Sequence, residues 1–174
     1  MIHHRVQSFA IKKLQREFAD INEKSDVPFT VGLVDENDFF TWEVLIIGPE
    51  GTIYENGIFR AVLRFPQDYP NNPPKMTFTS KMWHPNIFKN GAVCISILHP
   101  PVVDVTNPDE RLDEKWRPVL GVKEVLLSVM SMLIEPNLDS PANIDAAVEF
   151  KSNPQAYKQR IRCYMESENG CQLD

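Results

Sequence analysis

The sequence has little of what marks disulfide-rich, zinc-binding or membrane proteins. Its 174 residues include three cysteines, Cys94, Cys163 and Cys171, and no C-x-x-C pair, so neither a disulfide framework nor a structural zinc site is indicated. No apolar run reaches the ~18 residues that a membrane helix needs, and no apolar signal-peptide core follows Met1. We therefore expect a reducing compartment, the cytoplasm or the nucleus, and no membrane insertion.

Basic charge is also scarce. Eighteen Lys and Arg residues against 24 Asp and Glu give a net charge of −6, which repels a phosphate backbone, so nucleic acid is not an expected partner. Residues 1–24 reverse this sign with five basic and three acidic residues. Four of these cations, Arg5, Lys12, Lys13 and Arg16, lie opposite the apolar residues of a predicted helix. A solvated face is the usual explanation of such a stripe, and a docking surface is the alternative.

Hydrophobic periodicity predicts a helix and then four strands. Ile11, Leu14, Phe18 and Ile21 recur with a helical period, which indicates a helix over about residues 8–23. Runs of β-branched and aromatic residues separated by turn residues predict an antiparallel meander. Its four strands are expected at residues 29–34, 39–47, 57–65 and 75–79.

Helices return after residue 118. Apolar residues crowd so much of the segment from Val122 to Leu133 that it predicts a buried central helix, ending before Glu135. Ser140-Pro141 and Asn153-Pro154 each place a capping side chain before a proline, so two further helices are expected to begin there. The fold class is α+β, and the length predicts one domain.

Proline is abundant only in the middle of the chain, where nine of the 14 prolines lie between Pro66 and Pro118. Ordered irregular backbone of this kind often carries a functional site. Asn90-Gly91, a turn dipeptide, directly precedes the segment that contains Cys94. A cysteine between two apolar residues is usually a small buried side chain, and a Cys–His hydrolase is disfavoured because no third polar group is evident to orient a base.

The residues around Cys94 resemble a known active-site signature. Trp83-His84-Pro85-Asn86-Ile87, Asn90-Gly91 and Val93-Cys94-Ile95 are similar in type and spacing to the signature of ubiquitin-conjugating enzymes. Other family motifs follow in order: Gly48-Pro49, Tyr54-Glu55, Phe65-Pro66, Asp68-Tyr69-Pro70, Pro73-Pro74 and Trp116-x-Pro118. The resemblance covers about residues 8–166. It implies a single UBC domain over residues 1–174, with an N-terminal helix, a four-stranded antiparallel meander, a central core helix and two C-terminal helices.

A branch of the family is also indicated. Residues 99–114 form a long acidic connection, and Ser140-Pro141-Ala142-Asn143 follows Pro136-Asn137. Both features resemble the branch with an extended acidic loop after the cysteine. Its members serve cullin-RING ligases or the ligases of endoplasmic-reticulum-associated degradation, and many build ubiquitin chains that signal degradation.

The resemblance implies roles for the signature residues. Cys94 would accept the ubiquitin C-terminus from the activating enzyme as a thioester and pass it, with a RING-type ligase, to a lysine amine. Asn86 matches the family's oxyanion asparagine, and a loop-shaping amide is its alternative or additional role. His84 and Pro85 are expected to shape the loop. No metal or organic cofactor is expected, because ATP is used by the activating enzyme.

Acidic residues near the site have two interpretations each. Residues 104–114 hold five acidic residues and one basic residue, a net charge of −4, and acids such as Asp104 would either attract the acceptor lysine or merely keep a loop solvated. Asp139 and Ser140 stand where many family members carry two aspartates that gate the cleft. Helix capping is the alternative role for Ser140.

Partner surfaces follow from the same resemblance. The basic side of the first helix matches the family's site for the activating enzyme, and the loops around Asn71 and Pro118-Val119 match its RING-ligase site. Two other functions stay open. A ubiquitin-binding adaptor without catalysis is disfavoured because Cys94 and Asn86 are both present, and a conjugating enzyme for another modifier such as SUMO is discouraged by the acidic pI of 5.2.

Overall fold

A computed structural model of the chain describes residues 2–23, 26–102 and 111–168, with residues 2–8 as main chain only. The described residues form four α-helices, one short 3-10 helix and a four-stranded sheet. The α-helices are α1 (Ile2–Asn22), α2 (Val122–Ile134), α3 (Ile144–Ser152) and α4 (Pro154–Glu168). The strands are β1 (Phe29–Asp35), β2 (Asp38–Ile47), β3 (Ile58–Arg64) and β4 (Lys75–Phe78), and the 3-10 helix spans Ser96–Leu98. The predicted α+β class is confirmed.

The sheet is the predicted antiparallel meander, with strand order β1-β2-β3-β4. In β3 the side chains of Phe59, Ala61 and Leu63 are buried, whereas Arg60 and Arg64 are exposed. This alternation gives the sheet one buried face and one face toward water, because successive side chains of a strand point to opposite sides.

Helix α2 is the core helix, as its composition predicted. Its buried residues are Val122, Val125, Leu126, Val129, Met130, Met132 and Leu133. Helix α1 is amphipathic instead: Leu14 and Ile21 are buried, and the Phe18 ring packs edge-on against Trp42 of β2 at 5.1 Å between ring centroids. Because protein interiors are close-packed, α2, which is buried on most of its sides, has little freedom to shift.

Two predicted helix starts are wrong. Helix α1 begins at Ile2 rather than near Ser8, because the preceding residues contain no glycine or proline to stop it. Helix α3 begins at Ile144, and its N-cap is Asn143, whose Oδ1 accepts a hydrogen bond from the N–H of Ala146 at 3.1 Å. Ser140 therefore does not cap a helix. The Asn153-Pro154 start of α4 is confirmed.

None of the helices in the described segments combines the length and apolar character needed to cross a bilayer.

The burial of α2 predicts a contrast between two adjacent leucines. Leu126 is fully buried, whereas Leu127 is 44% exposed. Leu126→Ala is expected to lower the free energy of unfolding by about 3 kcal/mol, because it leaves a cavity in the core. Leu127→Ala is expected to cost less than about 1 kcal/mol. Urea denaturation monitored by tryptophan fluorescence measures both, and equal losses would contradict the assigned orientation of α2.

Candidate active site

Cys94 lies at the end of a short turn that returns the chain onto the segment 84–87. The turn closes through Gly91 N–H to the Phe88 carbonyl at 2.8 Å. Gly91 has a φ of +88°, and a Cβ there would lie 2.2 Å from the Phe78 carbonyl oxygen. Only glycine fits this position, both in conformation and in space. The turn that Asn90-Gly91 predicted is thus built against the edge strand β4.

The cysteine is held in place by hydrogen bonds of its main chain. The Cys94 N–H donates to the carbonyl of Asn86 at 2.9 Å, and Val93 pairs with Ile87 in an isolated β-bridge. Cys94 is half-buried, so the residue is not sealed in the core.

His84 is a buried part of the loop framework. Its Nδ1 accepts a hydrogen bond from the Asn86 N–H at 3.0 Å, so its Nε2 carries the proton and donates to the Met132 carbonyl at 3.0 Å. Burial lowers the pKa of His84 to about 4, against a smaller opposing effect of the Met132 carbonyl. The neutral ring therefore joins the end of α2 to the loop that precedes Cys94.

The Asn86 carboxamide is bonded on both of its polar atoms. Its Nδ2 donates to the Asn137 carbonyl at 2.7 Å, and its Oδ1 accepts from the Asn137 N–H at 2.8 Å. This pairing is the loop-shaping role that the sequence left open. A primary amide nitrogen carries two hydrogens, and the bond to Asn137 uses one of them.

The residues after Asn137 extend this framework. Asp139 N–H donates to Asn137 Oδ1 at 2.9 Å, and both Asp139 and Ser140 are exposed. Further on, the Asn143 N–H donates to the Pro85 carbonyl at 2.9 Å. The segment between α2 and α3 thus contacts the signature loop at two points, and Asp139 and Ser140 lie between those points.

The structure adds one residue that the sequence analysis missed. His99 Nε2 lies 3.7 Å from Cys94 Sγ, because the 3-10 helix at Ser96–Leu98 turns the chain back after the cysteine. An imidazole at this distance can exchange a proton with a thiol. Lys89, the nearest cation in sequence, is instead paired with Asp145, with Nζ and Oδ2 2.6 Å apart.

The only sequence signal for His99 is its position five residues after the cysteine. Side chains five residues apart meet only when the chain between them turns, and no local pattern predicted the 3-10 helix that makes this turn. Trp116 N–H also donates to the His99 carbonyl at 3.1 Å, and the buried Lys115 donates from Nζ to the Val102 carbonyl at 2.8 Å. These bonds close the base of the acidic connection.

The predicted partner residues fall on a separate surface. Lys12 and Arg16 are exposed on α1, whereas Lys13 is partly buried and its Nζ lies 2.8 Å from Glu17 Oε1. Asn71, Pro118 and Val119 are all exposed in loops beside α1. The side chain of Arg5 and the whole of Asp104 lie outside the described residues.

Comparison with known proteins identifies the family. The family model "Ubiquitin-conjugating enzyme" matches residues 13–165. The chain is 54% identical over 149 residues to ubiquitin-conjugating enzyme E2 15 of Schizosaccharomyces pombe, an alignment that covers 86% of this chain and 89% of the relative. It is 50% identical over 156 residues to the probable ubiquitin-conjugating enzyme E2 7 of Caenorhabditis elegans, with 89% and 94% covered.

A plant relative, ubiquitin-conjugating enzyme E2 7 of Arabidopsis thaliana, is 47% identical over 156 residues, with 89% of this chain and 93% of the relative covered. The chain belongs to the ubiquitin-conjugating enzyme family. Enzymes of this family carry ubiquitin as a thioester and transfer it to an amine.

The low pKa of His84 predicts acid-sensitive stability. The folded state holds the ring neutral down to about pH 4, whereas the unfolded chain takes up a proton near pH 6.5. Between those values the unfolded state binds more protons, so stability falls as the pH falls. Between pH 7 and pH 5 this one group is expected to cost about 2 kcal/mol.

Urea denaturation across this pH range measures the loss, and His84→Gln is the variant that removes the titrating ring. An NMR titration of the His84 ring protons provides the direct check. A midpoint near 6.5 in the folded protein would contradict the assignment.

Proposed function

We propose that Cys94 is the residue on which this enzyme carries ubiquitin, and that it transfers the ubiquitin with a RING-type ligase to a lysine of a substrate or of another ubiquitin. The observation that supports this most is the position of Cys94. The residue is half-buried after a turn, and its N–H is bonded to Asn86 in the segment that carries the family signature. Cys163, the other cysteine of the described residues, lies within α4.

The chemistry is two acyl transfers. In the first, the Cys94 sulfur attacks the thioester of the activating enzyme, the new S–C bond forms, and the thiolate of the activating enzyme leaves. In the second, a neutral lysine amine attacks the Cys94 thioester, the C–S bond breaks as the amide forms, and the proton that the amine loses ends on the departing Cys94 thiolate. His99 lies within reach of the sulfur in both steps, where it can take or return the proton of Cys94.

Asn86 is proposed to stabilise the oxyanion that develops on the thioester carbonyl. A fixed amide donor in such a role contributes about 3 kcal/mol. The two hydrogen bonds with the Asn137 main chain hold the plane of the Asn86 amide in place. The first Nδ2 hydrogen is bonded to Asn137, so the oxyanion role is proposed for the second one.

The acceptor lysine is proposed to meet the acidic connection at residues 99–114 and the loop with Asp139 and Ser140. Arg111 neutralises part of that connection: its guanidinium lies 2.7 Å from Asp113, and the bond lowers the pKa of Asp113. Glu114 is more distant, 3.9 Å from Arg111, and the sequence places three further acids in the connection, Asp104, Asp109 and Glu110, which lie outside the described residues. Ser140 is free of any capping role, which favours a place at the cleft.

The partner assignments extend this proposal. Exposed Lys12 and Arg16 are assigned to the activating enzyme, and the loops at Asn71 and Pro118-Val119 to a RING-type ligase. The acidic connection favours the extended-loop branch, with degradation-signalling ubiquitin chains as the product and the cytoplasm or nucleus as the location. A catalytically inactive adaptor and a conjugating enzyme for SUMO are the alternatives that the following experiment separates.

The carrier role predicts a covalent adduct at one cysteine. With activating enzyme, ATP and ubiquitin, a non-reducing gel is expected to show an adduct that thiol removes. Cys94→Ala abolishes it, Cys94→Ser converts it into a thiol-resistant ester, and Cys163→Ala, the matched control, leaves it intact. No adduct with a competent activating enzyme would favour the adaptor, and an adduct with SUMO alone would favour the other modifier.

The dual role of Asn86 predicts a split between two rates. Asn86→Ala is expected to slow discharge to lysine roughly 100-fold, because an oxyanion donor is lost. Charging is expected to slow much less, because a thiolate is a better nucleophile than an amine and that step depends less on the donor. It also removes the bonds to Asn137, at a cost of about 1 to 3 kcal/mol of stability. Asn143→Ala is the matched control, since Asn143 is a buried amide with bonds to the main chain. Equal kinetics of the two variants would leave Asn86 a purely structural residue.

A further inference from the structure

Glu17 on α1 joins three parts of the fold that are far apart in sequence. Its Oε2 accepts hydrogen bonds from the Val122 N–H at 2.8 Å and from the Tyr69 hydroxyl at 2.9 Å. Its Oε1 lies 2.8 Å from Lys13 Nζ. The Glu17 side chain is 15% exposed. One carboxylate therefore connects α1, the loop after β3 and the start of α2.

Each contact of Glu17 satisfies a group that needs an acceptor. Val122 is the first residue of α2, and an N–H in the first turn has no partner within its own helix. A negative charge there also complements the helix dipole. Burial and then the Glu17 charge raise the pKa of Tyr69, so its hydroxyl remains a donor at every physiological pH.

The two anchored residues lead directly into the loops assigned to a ligase. Tyr69 is two residues before Asn71, and the Pro70 carbonyl between them accepts the Trp116 indole N–H at 2.7 Å. Val122 is three residues after Val119, which is 83% exposed. Lys13, Glu17, Val119 and Val122 line the same cleft of about 230 Å³. Glu17 thus contacts one residue next to each of the two loops.

We propose that Glu17 is a positioning residue that fixes the two loops beside α1 in the arrangement that protein partners bind. Glu17 touches no reacting atom: the described contacts of Cys94 involve Asn86 and His99. Its loss should therefore affect partner-dependent steps and spare the chemistry at the sulfur. The inference rests on the proposed function, since it requires that partners bind this face.

The test separates partner-dependent from intrinsic rates. The ligase used is a RING-type ligase that accelerates discharge of the wild type. In Glu17→Ala the stimulated discharge rate is expected to fall roughly fivefold or more. The KM of the activating enzyme for this chain is expected to rise by a similar factor. Intrinsic discharge to free lysine is expected to stay within about twofold. Tyr69→Phe removes one link while Glu17 still caps α2, so it tests the same inference if Glu17→Ala fails to fold.

Glu124→Ala is the matched control. Glu124 also caps the start of α2, through Oε2 to the Gly121 N–H at 2.9 Å, and lines the same cleft, but it lies in α2 itself and has no hydrogen bond to α1 or to Tyr69 among those described. It therefore separates loss of a capping charge from loss of the link between α1 and the two loops. Equal effects of Glu17→Ala and Glu124→Ala would overturn the proposal, as would equal losses in the stimulated and intrinsic rates. The double variant Glu17→Ala with Lys13→Met is compared with Lys13→Met alone, and it is expected to show the same loss of stimulated discharge that Glu17→Ala causes in the wild type. If the double variant showed no such loss, the unpaired charge of Lys13, and not the position of the loops, would be the cause.

The outcomes also separate this inference from the proposed function. A wild type that forms no thiol-sensitive adduct at Cys94 refutes the carrier role. A wild type that charges and discharges normally, with no selective loss in Glu17→Ala and Tyr69→Phe, refutes only the role of Glu17.

Discussion

The arrangement of the site depends on one buried imidazole that must stay neutral. His84 donates to the end of α2 through Met132 and accepts from the Asn86 N–H, so both ring nitrogens are used and only one tautomer satisfies them. A protonated ring would place a second hydrogen against the Asn86 N–H, and a buried charge without a partner is costly. The ring also positions the Cys94 loop, because the Asn86 carbonyl accepts a hydrogen bond from the Cys94 N–H.

Hydrogen bonds to main-chain groups tie the signature loop to the rest of the site. Asn86 is bonded to Asn137, and Pro85 accepts from Asn143, so the signature loop is held by the segment between α2 and α3. Such bonds fix backbone positions while the side chains of Cys94, Asp139 and Ser140 remain partly or fully exposed. A rigid loop with an accessible sulfur suits a reaction that depends on placing two proteins at one atom.

The sequence predicted those features that local patterns determine. Alternation in β3, the apolar crowding of α2 and the Asn90-Gly91 turn each arise from neighbours in the chain, and each was found where expected. The pairing of Asn86 with Asn137 spans 51 residues, so no local pattern reveals it. Asn143, not Ser140, caps α3, and the Asn143 main chain is also bonded to Pro85, a contact that the local sequence does not indicate. The contact of His99 with Cys94 depends on a 3-10 turn that no hydrophobic periodicity indicates.

Helix α2 joins the two halves of the proposed activity. His84 is bonded near its C-terminal end and Glu17 at its first residue, and 13 residues of α-helix span about 20 Å. Because α2 is buried on most of its sides, the cysteine loop and the partner loops are attached to one element that resists bending. On the proposed function, a partner bound beside α1 meets loops that are attached to the same helix as the cysteine loop, so α2 sets the spacing between them.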